Sequence, residues 1–218
     1  MHRLLIALGA LTLTAALSAC DSPPSPYPPP TQVPTPPQLA PQALVLRVDQ
    51  MPTYVRTQDS TVDAGTLADQ ESDPSLQATL KNQGIEVGAR ASFSDPNQGG
   101  PPTPFATVIS QVVFFDNATG ASAFVSDETK RRSVPPTGGT LAPLDGLPLG
   151  GADSIVGLAA NTPAQSADEP PSRALFALIR RGRFVAELLG GGPAATATDA
   201  NFLALVQLQE QQLSSKAS

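Results

Sequence analysis

Between residues 85 and 94 the apolar side chains Ile85, Val87, Ala89, Ala91 and Phe93 alternate with Glu86, Gly88, Arg90, Ser92 and Ser94. A period of two predicts a strand with one face on a core and the other in water. Residues 105–115 behave differently, since Val112, Val113, Phe114 and Phe115 are apolar at successive positions. Strands of that kind are covered on both faces. Residues 173–180 and 183–189 share this double-sided character and flank Arg181-Gly182, a hairpin signal in which the glycine is well placed for a tight turn. Residues 153–160 read as another strand, and the β-prone stretches 43–48 and 54–59, separated by Met51-Pro52, predict two more.

Three segments carry helical spacing. Residues 73–84 open with Asp73 as a cap and Pro74 at the first helical position, place Leu76 and Leu80 on one face, and end at Gly84. A second helix runs from Asp116 or Asn117 to about Arg132, with Ala121, Phe124 and Val125 inward and Asp127, Glu128, Lys130 and Arg131 outward. A third starts at Thr198 or Asp199 and repeats Phe202, Leu205, Val206 and Leu213. Pro/Gly-rich loops fill 95–104, 133–151 and 161–172. The expected fold is α+β, a mainly antiparallel sheet of about five or six strands with three helices packed on it. Strands greasy on both faces need a second cover. Loops and helices completing an ordinary core, a second copy of the chain or an apolar ligand would each supply it.

The N-terminal region follows other rules. Met1-His2-Arg3 is followed by an apolar run that ends in Leu17-Ser18-Ala19-Cys20, and Cys20 is the only cysteine of 218 residues. At about 1.5 Å per residue, a helix over 4–17 reaches roughly 21 Å, short of a hydrocarbon core of about 30 Å. The tetrapeptide resembles the lipobox of bacterial lipoproteins. That resemblance implies a signal peptide over 1–19, cut before a diacylated Cys20, and a cell membrane location on the extracytoplasmic side. Asp21 matches the residue that retains some lipoproteins at an inner membrane. Residues 21–42 contain ten prolines, which remove amide donors and favour polyproline II. At about 3.1 Å per residue this linker reaches up to roughly 70 Å. Residues 43–218 are then enough for one extracytoplasmic domain.

Composition removes several functions. Without its signal, the chain loses its sole histidine, His2, and carries a net charge of about −7, which disfavours nucleic acid as a partner. Lacking histidine and a free thiol, such a chain forms neither a Ser-His-Asp nor a Cys-His arrangement, nor the usual zinc sites. Lys81, Lys130 and Lys216 offer no Ser-x-x-Lys pattern, Gly190-Gly191-Gly192 lacks a following Lys-Ser/Thr, and residues 59–65 lack the ligands of an EF-hand. No cofactor, metal or catalytic residue is expected. An acid/base pair of carboxylates is chemically conceivable, with Asp145, Asp153 and Glu187 as candidates, although solvation at a surface accounts for each. Two basic groups remain as candidate anion sites: Arg180, Arg181 and Arg183 around the hairpin turn, and Lys130, Arg131 and Arg132 at a helix end. Cations there also suit the helix dipole.

The stretch Val113-Phe114-Phe115-Asp116-Asn117-Ala118-Thr119-Gly120-Ala121-Ser122-Ala123-Phe124, followed by Arg180-Arg181-Gly182-Arg183-Phe184-Val185, resembles small extracytoplasmic α+β domains of bacterial lipoproteins and sensor-kinase ectodomains, such as the mycobacterial LpqN-like group. The resemblance implies ligand or partner binding by a non-catalytic module; an envelope protein, a glycan or an apolar ligand is the expected partner. The double-sided strands motivate the alternative, a carrier of a lipid or other apolar ligand.

Overall fold

Antiparallel pairing of seven strands in the order β1-β2-β3-β7-β6-β5-β4 builds one sheet, made of β1 (Val55–Val62), β2 (Ile85–Ser94), β3 (Thr107–Phe115), β4 (Thr140–Pro143), β5 (Ser154–Thr162), β6 (Ser172–Arg181) and β7 (Phe184–Pro193). Four α-helices accompany it: α1 (Ala64–Gln70), α2 (Leu76–Asn82), α3 (Ala118–Arg132) and α4 (Asp199–Lys216). This computed structural model describes residues 40–96, 103–148, 150–164, 166 and 169–216. Cys20, the signal segment and most of the proline-rich stretch lie outside the described residues.

The double-sided strands sit where their composition requires, in the middle of the sheet. On one face, Val108, Val112, Phe114, Ala177, Ile179 and Leu188 meet Phe202, Val206 and Leu213 of α4 together with Leu44, Val45 and Leu46. On the other, Val113, Phe115, Phe176, Leu178 and Val185 meet α1, α2 and α3 through Leu67, Leu80, Phe124 and Val125. The chain's own helices and its segment 41–54 therefore supply both covers. Full burial of side chains such as Phe115 and Phe202 contributes about 2–3 kcal/mol each.

Several sequence expectations need correction. Residues 43–48 form no strand. They link two 3₁₀ turns (Pro41–Ala43 and Val48–Gln50) and cross the sheet with two of their backbone groups bonded to side chains: Leu46 N–H donates to Ser110 Oγ at 3.0 Å, and Gln209 Nε2 donates to the Leu44 carbonyl at 2.8 Å. Ser110 in turn donates to Gln209 Oε1 at 2.6 Å, so a buried polar chain pins this segment between β3 and α4. Among the described residues there are seven strands rather than five or six, because β4 pairs with β5 inside the stretch read as a loop. Among the described residues there are four α-helices rather than three. The extra one, α1, is only seven residues long and is capped by the Asp63 carboxylate, which accepts from Thr66 N–H at 2.8 Å. Helix α2 begins at Leu76, since Asp73 instead accepts from Ser75 N–H in a turn ahead of it.

Glycine decides how α2, β2 and α3 meet. Gly84 adopts φ +76°, and the start of α3 comes so close that a Cβ on Gly120 would lie 1.8 Å from the Gln83 carbonyl oxygen. Only a hydrogen fits there.

Candidate functional site

Register across the central strands aligns polar residues that the apolar patterning separates. Arg90 of β2 stands opposite Ser60 of β1 and Gln111 of β3, and Gln111 stands opposite Glu187 of β7. Directly opposed residues share a face of the sheet, so Arg90, Gln111 and Glu187 form a polar row beneath the helices. The face of β2 expected to be wet is in fact roofed. Helix α3 lowers Glu128, Arg131 and Arg132 onto this row, residues that its i, i+3 and i, i+4 spacing brings to one side, and the end of α1 adds Gln70 and Glu71. Together with Leu67, Leu80 and Phe124 these groups enclose a cavity of about 260 Å³.

Arg132 organises the charges. Its Nε donates to Glu128 Oε1 at 2.8 Å, and its Nη2 reaches Glu71 Oε1 at 2.7 Å and Glu187 Oε1 at 3.3 Å. Its guanidinium carbon lies 5.2 Å from the centre of the Phe176 ring. Arg131 pairs with the other oxygen of Glu128, and Gln111 Nε2 donates to Glu187 Oε2 at 3.2 Å. The Glu128 side chain is 3% exposed and that of Glu187 13%, against 32% for Glu71, so the network runs from the floor of the cavity to its mouth.

Burial, followed by the negative charge of Glu128, pushes the Glu187 carboxyl from 4.5 up to about 7; Arg132 opposes that shift, Glu71 adds to it, and Arg90 opposes it again. Burial also works against the charge of Arg132, but Glu187, Glu128 and Glu71 outweigh it and hold the guanidinium above its ordinary value. Four buried polar atoms of the cavity walls have no hydrogen-bond partner among the described residues: Arg90 Nε, Arg131 Nε, Arg131 Nη1 and Gln111 Oε1.

No protein-family model matches the sequence, and no curated protein matches it. Among solved structures, the chain is similar to the extracellular domain of PknH from Mycobacterium tuberculosis. The identity is 16% and the TM-score 0.49, over 79% of this chain and 97% of that one. At that level the likeness says nothing of ligand, partner or anchoring.

The basic groups singled out in the sequence are placed unequally. Arg131 and Arg132 enter the cavity, whereas Lys130 points to solvent and pairs with Asp127 at 3.3 Å. Glu128 and Arg131, expected on the outer side of this helix, face inward. Arg180, Arg181 and Arg183 do not converge, because β6 alternates faces up to the Gly182-Arg183 turn. Arg180 pairs with Asp153 at 3.0 Å, Arg181 donates to Ser214 on α4, and Arg183 lies 3.5 Å from Glu86 and against the Phe184 ring.

Of the three candidate carboxylates, Asp145 is exposed and Asp153 accepts from Gly182 N–H at the hairpin. Glu187 is not a solvated surface acid, because strand β7 carries it inward beneath α3. Arg90, Gln111, Glu71 and Glu128 escaped the sequence reading. Gln111 had a visible signal, an amide directly ahead of the apolar run Val112 to Phe115; the others look like ordinary surface residues until the register is known. Among the described residues no group of three or more His, Cys, Asp or Glu side chains is arranged to hold a metal, and no helix is long and apolar enough to cross a membrane.

Proposed function

We propose that the chain is a cell-envelope lipoprotein, tethered through lipid on Cys20 and its proline-rich linker, whose domain binds a small solute or a partner group without transforming it. The binding site is the cavity beneath α1, α2 and α3. One observation carries this reading: polar atoms of Arg90, Arg131 and Gln111 are buried in the cavity wall without a partner, and a buried polar group left unpaired is costly unless something completes it. The same observation favours a polar solute over the apolar-carrier alternative, since both greasy faces of the sheet are filled by the protein's own side chains.

Two measurements test the proposal. A single acyl chain binds membranes reversibly while two or three hold firmly, so Cys20→Ser is expected to move the protein from the membrane to the soluble fraction; unchanged membrane retention refutes the anchor. Native mass spectrometry of the detergent-extracted protein is expected to show the acylated chain alone or with a small polar adduct. Stoichiometric copurified lipid would instead support the carrier.

A further inference from the structure

The cavity's charges are unevenly committed. Arg132 commits its Nε and Nη2 to Glu71, Glu128 and Glu187. Arg131 spends one amine on Glu128 and leaves its Nε and Nη1 unpaired, while the Arg90 guanidinium makes no ion pair or hydrogen bond among the described residues. Two arginines that line one cavity thus hold buried N–H donors with no acceptor among the described residues. Guanidinium forks are matched by the oxygens of a carboxylate or phosphate. Gln111, 3% exposed, presents the complementary deficit: its Nε2 is used by Glu187, and its carbonyl oxygen lacks a donor. A volume of about 260 Å³ lies just below the usual range for ligand pockets, about 300–1,000 Å³, and suits a molecule of few atoms rather than an acyl chain.

We propose that this cavity binds a small organic anion bearing a hydroxyl, its acid group held by Arg131 and Arg90 and its hydroxyl donating to the Gln111 carbonyl oxygen. The assignment rests on the solute-binding reading above and names the ligand's chemistry. With Glu187 protonated, the facing groups comprise Arg90, Arg131 and Arg132 against Glu71 and Glu128, one positive charge in excess; with Glu187 ionised the excess vanishes. An incoming anion therefore favours protonated Glu187 and binds more tightly as pH falls from 8 to 6.

The test is an NMR titration of the full chain in detergent micelles with lactate and glycerol 3-phosphate, against their uncharged analogues lactamide and glycerol, and with propionate as the anion without a hydroxyl. Lactate or glycerol 3-phosphate is expected to shift the Arg90, Gln111 and Glu187 amides with an affinity at least tenfold above the uncharged analogue, and whichever binds more tightly identifies the acid group. Propionate is expected to bind several-fold more weakly than lactate. Arg131→Gln should weaken the anion at least tenfold. Since that change also removes a partner of Glu128, Arg90→Gln, which breaks no ion pair, serves as the second variant with the same expectation. Anion binding that both variants leave intact, or no anion binding at all, overturns the proposal. Equal shifts from lactamide or glycerol overturn the anion while leaving solute binding in place; bound lipid in native spectra together with silent titrations overturns both.

Discussion

Glu187→Gln isolates the electrostatic cost built into the cavity. Glutamine keeps the shape of the side chain and one oxygen to accept from Arg132, with its amide nitrogen in place of the oxygen that accepts from Gln111, but it cannot ionise. In the unfolded chain the Glu187 carboxyl titrates near 4.5, and in the folded protein near 7. The folded state thus holds its proton more tightly. Stability from this group is fully present below pH 4.5 and is lost as pH rises through 7, because the unfolded chain releases the proton first. At about 1.4 kcal/mol per tenfold difference in proton affinity, the loss amounts to about 3 kcal/mol, with Glu187 too little exposed for solvent to screen much of it. Denaturant unfolding of wild type and Glu187→Gln at pH 4, 5.5, 7 and 8.5 reads the effect directly. The two proteins should be equally stable at pH 4, and the variant should be the more stable by about 3 kcal/mol at pH 8.5. Asp63, whose carboxylate is held below its usual range by Thr66, acts only in the acid region and is common to both proteins. A gap between the two that does not change with pH, or a wild type that gains stability from pH 4.5 to 7, would refute the reasoning.

Further perturbations probe the scaffold. Gln209→Leu removes the acceptor of the Ser110 hydroxyl and the donor to the Leu44 carbonyl, both fully buried; a loss of about 2–4 kcal/mol is expected. Ser110→Ala strips the buried Leu46 N–H of its acceptor and is itself destabilising, but because both changes break the same Ser110–Gln209 bond the double variant should lose less than the sum of the single losses; additive losses in the double-mutant cycle would argue against the chain. Gly120→Ala forces a methyl group against the Gln83 carbonyl and should cost about 3 kcal/mol, seen as a fall in Tm of about 6–12 °C. An unchanged Tm would mean that α3 does not dock as closely as described.

Most of the sheet was legible in the chain because it depends on local chemistry. A period of two acts over a few residues, and Val112 to Phe115, apolar at successive positions, announced a strand covered twice. Helices α3 and α4 were legible for the same reason: their caps and periodicity are contained within them. The misread segments are those whose structure depends on distant partners. Residues 43–48 are β-prone, yet Ser110 and Gln209, far along the chain, take their backbone groups and hold them out of the sheet. Strand β4 exists because β5 offers an edge, and α1 is too short for its pattern to stand out.

The cavity was decided by tertiary structure alone. Sequence determined that Glu187 is an acid in an apolar strand, that Gln111 stands directly ahead of an apolar run and that Arg131 and Arg132 end a helix. It could not say that these residues meet. Pairing register sets which residues lie abreast, a slip of one position sends each side chain to the opposite face, and the docking of α3 on Gly120 fixes which arginines lie above the row. Proton affinity follows from that burial, so a glutamate that is ordinary in the chain titrates near neutrality only in the folded protein.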